Sequence, residues 1–207
     1  RGLNFIGGGY DNCIRGYNIA DNGCSTYANS ILGRTNLICA LDRNTIGGGG
    51  ANTIQGNFGN STIAGGVSHN ITSGNGTIGG GAGNTVSAAS ATIAGGTLNT
   101  VSGNCGFIGG GISNTVSCTI STIGGGKSNT ISAYYGFIGG GVSNEISYGC
   151  GFIGGGRLNT VSGYYGSIVG GTANSNSGYY SSIVGGSQNT ISSGYGSVGF
   201  IGGGFCN

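Results

Sequence analysis

An isoleucine recurs at Ile63, Ile78, Ile93, Ile108, Ile123, Ile138, Ile153, Ile168 and Ile183, every interval being 15 residues. So short and regular a period restricts the chain to architectures that stack one small unit on copies of itself. With the leading isoleucine as position 0, one unit reads Thr122-Ile123-Gly124-Gly125-Gly126-Lys127-Ser128-Asn129-Thr130-Ile131-Ser132. Positions 2 and 3 are glycine in every unit from Ile46 onward, and position 8 is Ile or Val except at Asn176. Three glycines per unit would weaken a helix by about 3 kcal/mol relative to alanine, which excludes helical repeats. Collagen is excluded as well: among 207 residues with 53 Gly there is no Gly-X-Y register and no proline. Disorder fits poorly, because only 5% of residues are charged and β-branched residues return at fixed places.

A strand points alternate side chains to opposite faces, so Thr-Ile-Gly and Thr-Ile-Ser each present one apolar residue inward and its two neighbours outward. Two short strands per unit, separated by Gly-Gly and by Ser/Asn/Gly-rich turns, predict an all-β, parallel β-solenoid of about a dozen 15-residue coils. Positions 0 and 8 become inward ladders, the first comprising the nine isoleucines above. Position 6 becomes a ladder of Asn84, Asn99, Asn114, Asn129, Asn144, Asn159, Asn174 and Asn189, able to hydrogen-bond along the stack. His69 occupies that column and is expected to replace asparagine in the turn. The glycines are expected to supply positive φ at the bend or to admit a neighbouring backbone.

Position 12 is often bulky, and Ile120 is expected to point inward beside Ile108 and Val116. Cys105 and Cys150 should fill the same site as small apolar groups. In the pairs Tyr134-Tyr135, Tyr164-Tyr165 and Tyr179-Tyr180, one ring should face in, leaving Tyr134, Tyr164 and Tyr179 as an outward column for a sugar or a partner chain. Two or three apolar side chains per coil make a thin core, which suggests further burial by self-association into a trimer or filament. Phe107, Phe137 and Phe152, just before the leading isoleucine, offer a surface for it. Where that aromatic gives way to Ser167 and Ser182, Val169 and Val184 follow the isoleucine, as if to conserve volume on one face.

Residues 1–44 are a degenerate opening and residues 45–207 the regular array. Ile6 and Ile31 are 25 residues apart, and seven of the ten charged residues lie in this opening. It reads as a polar cap over an open sheet edge, or else as a contact surface for a partner. Cys24 and Cys39 are one period apart and could bridge neighbouring coils. Asn60, Asn70 and Asn75 open Asn-x-Thr sequons, which would carry surface glycans after a eukaryotic secretory route. Arg1 is not an initiator methionine and the sequence stops inside a unit, so a processed or excerpted piece is expected.

The Ile-Gly-Gly-Gly-x-x-Asn-Thr-Ile-Ser units over residues 45–205 resemble the YadA-type head repeats of trimeric autotransporter adhesins, and similar Gly- and Asn-rich units of phage and viral fibres. The resemblance implies a left-handed parallel β-roll, three chains packed side by side, and display on a surface. The period here is slightly longer than in those heads, and Asn-Thr-Ile-Ser stands where they favour Ser-x-Ala. The motif defines no binding residues to carry over.

Catalysis would require converging titratable groups. The carboxylates Asp11, Asp21, Asp42 and Glu145 form no pair, no glycine run continues into Gly-Lys-Ser/Thr, and no Cys-x-x-Cys occurs. No enzyme, cofactor or metal is therefore expected. The net charge of +2 offers no basic stripe for nucleic acid, and no apolar run is long enough to insert into a membrane. The expected function is a structural fibre or adhesin-type protein, extracellular on a cell or virion surface, whose partners are further copies of itself and a surface glycan or host receptor. The alternative is ice binding through hydroxyl rows such as Thr100-Val101-Ser102 and Thr115-Val116-Ser117.

Overall fold

The computed structural model describes residues 4–15, 29–40, 43–56, 59–192 and 198–207. Two compact units, Arg1–Cys105 and Gly106–Asn207, each contain two parallel sheets, which we call A and B. In the first unit the A strands are Phe5–Ile6, Ser30–Ile31, Thr45–Ile46, Thr62–Ile63, Thr77–Ile78 and Thr92–Ile93, each paired in register with the next. The B strands are Cys13–Ile14, Leu37–Ala40, Thr53–Gly56, Asn70–Ile71, Thr85–Val86 and Thr100–Val101. The second unit repeats the pattern from Phe107–Ile108 to Phe200–Ile201 in sheet A and from Thr115–Val116 to Thr190–Ile191 in sheet B. Each unit is thus a parallel β-solenoid, and its coil is the 15-residue repeat.

Apart from Leu37–Ala40 and Thr53–Gly56, which have four residues, the strands are only two residues long because the coil must turn again at once. In the regular coils the isoleucine of sheet A and the Ile or Val of sheet B are buried together in the core, Asn176 standing in for the latter in one coil. Ile63, Ile78 and Ile93 in the first unit, and Ile108, Ile123, Ile138, Ile153, Ile168 and Ile183 in the second, are all 0% exposed. Each such side chain contributes about 1.5–3 kcal/mol by burial, and a coil holds only two of them. A third line of parallel bridges joins position 4 of successive coils, as in Ile112 to Lys127 and Lys127 to Val142.

Hydrogen bonds between coils have a direction. From the coil of Ile123, the N–H groups of Thr122, Gly124, Lys127, Thr130 and Ser132 donate forward, to Gly136, Ile138, Gly141, Asn144 and Ile146, at 2.8–2.9 Å. Ser128 and Tyr135 donate backward, to the carbonyls of Ile112 and Thr119, at 2.9 and 3.3 Å. These two residues are the corners of the coil, both with φ of 56°. Left-handed backbone at positions 5 and 12 recurs throughout, in residues as ill suited to it as Leu158, Tyr165 and Ile120. The sequence reading looked to the glycines for positive φ at the bend; the corners at positions 5 and 12 are carried, Gly83 apart, by other residues.

The position 12 corner also overturns three expectations. Ile120 is 50% exposed, Tyr134 and Tyr135 are both 60% exposed, and Cys105 is exposed with Cys150 half-buried. Left-handed backbone breaks the alternation of a strand, so counting in twos from Val116 does not carry a side chain back into the core. At position 8 the exception Asn176 is fully buried, with hydrogen bonds from its Nδ2 to the carbonyls of Ser167 and Ser181. Its Oδ1 accepts from the Gly178 N–H and the Ser181 hydroxyl. Serine at position 13 is what makes a polar residue tolerable there.

The irregular intervals follow one rule. The extra residues between Ile6 and Ile31, Ile46 and Ile63, and Ile183 and Ile201 all fall between a B strand and the next A strand. The turn from A to B keeps its length, apart from the glycine lost after Ile31.

The three glycines of a unit are not equivalent. A Cβ on Gly140 would meet nothing within 4 Å, whereas on Gly141, at φ +95°, it would lie 2.1 Å from the carbonyl oxygen of Gly156. Gly140→Ala should leave stability within about 0.5 kcal/mol of the parent. Gly141→Ala should lower it by about 2–3 kcal/mol, through strain and a forced shift of the next coil. Urea unfolding of the two variants measures this difference; equal effects would show that the third glycine is not a packing requirement.

Candidate interaction surfaces

The column beneath the A-to-B turn is a structural site built from asparagine side chains, with His69 as its one substitution among the regular coils. The Oδ1 of each asparagine accepts the backbone N–H of the asparagine one coil later: Asn129 to Asn114 at 2.9 Å, Asn144 to Asn129 at 3.0 Å, and Asn159 to Asn144 at 3.0 Å. The Nδ2 donates twice, from Asn144 to the carbonyls of Gly140 and Gly156, both at 3.0 Å. Asn84, Asn99, Asn114, Asn129, Asn144, Asn159, Asn174 and Asn189 are all buried, at 1% exposure or less. Asn36 and Asn52 extend the column into the early coils, where Asn52 N–H donates to Asn36 Oδ1 at 2.9 Å. A second, shorter column lies at position 13. There Asn44 and Ser61 donate from their N–H groups to Asn29 and Asn44 Oδ1, at 2.9 and 3.0 Å. The sequence reading passed over it, although the same residue types one period apart could have signalled it.

His69 takes the place of asparagine in the first unit. Its Nδ1 accepts the Asn84 N–H at 3.1 Å, as an Oδ1 would, but its buried Nε2 has no hydrogen-bond partner of good geometry. Burial holds the imidazole pKa below its ordinary value, partly opposed by the backbone of Gly81 and Asn84. An imidazole whose Nδ1 already accepts a hydrogen bond is a neutral spacer here.

The outward side of sheet A differs between the units. In the second it carries Phe107, Phe137 and Phe152, each 39–41% exposed, and then Val169 and Val184. The Phe137 and Phe152 rings stack at 5.5 Å with planes 6° apart. Each ring leans over the glycine two residues on: Cε1 of Phe137 lies 3.6 Å from where a Cβ on Gly139 would be. That contact explains the exchange of Phe-x-Gly for Ser-x-Val, since the space beside a valine is filled by the valine. In the first unit the same side carries Thr45, Thr62, Thr77 and Thr92 in register.

Tyrosines gather at the position 12 corner of the second unit. Tyr164 stacks on Tyr179 at 5.8 Å and Tyr165 on Tyr180 at 4.8 Å, while Tyr148 meets Tyr164 edge-on at 5.9 Å. Stacking gives one face of each of those four rings to a neighbour, so a sugar could lie only against the other. A hydrogen bond to Tyr165 pushes the Tyr164 phenol up to about 12. Tyr134 stands apart from these stacks.

Of the sequons, Asn60 and Asn75 are exposed corner residues, φ 63° and 56°, joined by a hydrogen bond from Asn60 Nδ2 to Asn75 Oδ1 at 3.3 Å. Asn70 is half-buried in sheet B with a buried Oδ1. Cys39 is half-buried in the strand Leu37–Ala40, and Cys24 lies outside the described residues, as does the pairing expected of it. In the degenerate opening, Arg34 donates to the Tyr10 hydroxyl at 2.8 Å and lies 5.4 Å above that ring. Among the described residues no three His, Cys, Asp or Glu side chains are grouped to hold a metal, and no helix is long and apolar enough to cross a membrane. No protein-family model and no characterised protein matches the chain.

The unfolded chain binds a proton near pH 6.5 before the buried His69 does, so stability should fall as pH drops below about 6.5 and level off below the lowered folded value. His69→Asn should remove that slope and, by restoring the Nδ2 donors, raise stability by about 1 kcal/mol. Denaturant unfolding between about pH 7 and 5, above the carboxylate range, reads both effects.

Proposed function

We propose that the protein is a structural, self-associating rod of fibre or adhesin type, displayed outside the cell or virion, with no catalytic role. The observation that carries this reading is the outward side of sheet A in the second unit. Phe107, Phe137, Phe152, Val169 and Val184 follow one another there with only glycine, serine and threonine between them. Proteins that remain monomeric rarely leave a contiguous apolar stripe uncovered. The thin core supports the same reading, since two aliphatic side chains per coil leave each coil dependent on burial gained elsewhere. The resemblance to trimeric adhesin heads and viral fibres supports three left-handed coils packed side by side on this face. A closed trimer would make a short rod, and an association that does not close would make a filament. A surface glycan or host receptor is the partner such a rod would present itself to.

Ice binding is the second reading, and one observation favours it. Thr45, Thr62, Thr77 and Thr92 form an in-register hydroxyl row in the first unit, beside the small residues Gly47, Ala64, Gly79 and Ala94. Against it, serines of the second expected row are engaged by their own fold: Ser177 Oγ donates to the Ile191 carbonyl at 2.9 Å and Ser117 Oγ to Ile131 at 3.3 Å.

Light scattering of the purified chain should return a multiple of its 20.0 kDa mass. The double variant Phe137→Ser, Phe152→Ser should shift it toward the monomer without loss of β circular dichroism, because Ser167 and Ser182 already occupy that column. A monomeric parent would overturn self-association. Thermal hysteresis of the same sample should be zero, and measurable hysteresis would select the ice-binding reading instead.

A further inference from the structure

The tyrosine corner of the second unit places four phenols in two successive coils as two stacks side by side. Tyr165 and Tyr180 are nearly parallel, with planes 3° apart and centroids 4.8 Å apart. Tyr164 and Tyr179 follow at 13° and 5.8 Å. Within each coil the two rings meet edge to face, at 4.4 Å for Tyr164 with Tyr165 and 4.5 Å for Tyr179 with Tyr180.

The fold does not ask for these rings. The equivalent corner in other coils holds Ser90, Cys105, Ile120 and Cys150, all with the same left-handed backbone. Tyr165 and Tyr180 are 43% and 52% exposed, so they add little to the core and can be reached by a reagent. What the arrangement does supply is proximity. Two phenols that share a stack are held at a separation that free tyrosines reach only by collision, and fixed geometry of this kind speeds coupling by large factors.

We propose that Tyr165 and Tyr180 are an oxidative cross-linking site, joined by a peroxidase and hydrogen peroxide into a dityrosine that ties two successive coils. Each phenol gives one electron and its hydroxyl proton to the oxidant, leaving a radical whose spin is shared with the ring carbon next to the hydroxyl-bearing one. A carbon–carbon bond forms between those two Cε atoms. Their ring hydrogens then return as protons to the oxygens, restoring two phenols. The net loss of two protons and two electrons converts one hydrogen peroxide to two waters. The link spans 15 residues of chain and fixes the coil against its neighbour.

The test uses dilute full-length chain treated with a haem peroxidase and hydrogen peroxide, followed by dityrosine fluorescence and peptide mass analysis. The Cys150→Ser variant is run alongside, because the Tyr164 ring lies against Gly149, the residue before Cys150, and a thiol so close by could reduce a tyrosyl radical. The expected product is a Tyr165–Tyr180 peptide pair two hydrogens lighter than its parts, at least about tenfold more abundant in folded protein than in urea. An equal mixture of isotope-labelled and unlabelled chain should show that both tyrosines come from one molecule, whatever the oligomeric state. Tyr180→Phe keeps the ring and the stack and should lose this product while unfolding at the parent temperature; the cross-linked parent should unfold at a higher one. Cross-links spread over Tyr10, Tyr134 and Tyr135 as in urea, a Cys150–Tyr164 adduct in place of the tyrosine pair, mainly intermolecular links, or full signal from Tyr180→Phe would each overturn the proposal.

Discussion

Everything in the coil depends on how a buried asparagine side chain substitutes for missing backbone hydrogen bonds. At the A-to-B turn the chain is not extended, so a strand ladder cannot satisfy its carbonyls and amides. Asn144 supplies what the ladder omits: its Oδ1 takes the Asn159 amide, and its Nδ2 binds a carbonyl of its own coil and one of the next. A buried amide left without such a partner would lose roughly 1–3 kcal/mol. The inward aliphatic side chains fill the space, and at position 8 isoleucine gives way to valine in several coils. The asparagine is less replaceable, because few side chains place an acceptor and a two-fold donor at so short a reach. His69 shows the limit of substitution, since it reproduces the acceptor and leaves the donor unused.

The glycines are the other half of the same constraint. Where the asparagine reaches for the carbonyl of the next coil, backbone must approach backbone, and the glycine at position 3 allows it. The left-handed corners at positions 5 and 12 show what the solenoid spends on closing so small a turn. Non-glycine residues in this conformation lose about 1–2 kcal/mol each, and two occur in most coils. At each, the N–H reverses direction and bonds the preceding coil, so the strain is offset by a hydrogen bond that an ordinary corner would leave to water.

Much of this was legible in the sequence, and the limit of legibility has a physical cause. Ile63 and its successors, and the asparagines from Asn84 to Asn189, stand at fixed positions because each must match its copy one coil away. Periodicity exposes any residue so constrained. Ile120 and Tyr135 were misplaced because alternation in twos holds only while the backbone is extended, and left-handed residues carry no residue-type signal when they are Ile, Leu or Tyr. Asn176 looked like a lapse in the core pattern; its hydrogen bonds with Ser181 explain it, a pairing invisible without the curvature that brings residues five apart together. The outward columns at Phe107, Phe137 and Phe152 could be read as a face, but periodicity says nothing of what covers that face.

Every inserted residue falls in the B-to-A turn, and this has a consequence for how such a chain keeps count. A coil that gains residues there still returns to the same isoleucine, the same glycines and the same asparagine, so the error is absorbed before the next turn begins. Phase is reset once per coil, and a mistake in one does not propagate to another. The two sides of the coil therefore have separate duties. The A-to-B side is the metre of the molecule, and the B-to-A side is where it can vary its length, branch outward, or carry a graft without losing step.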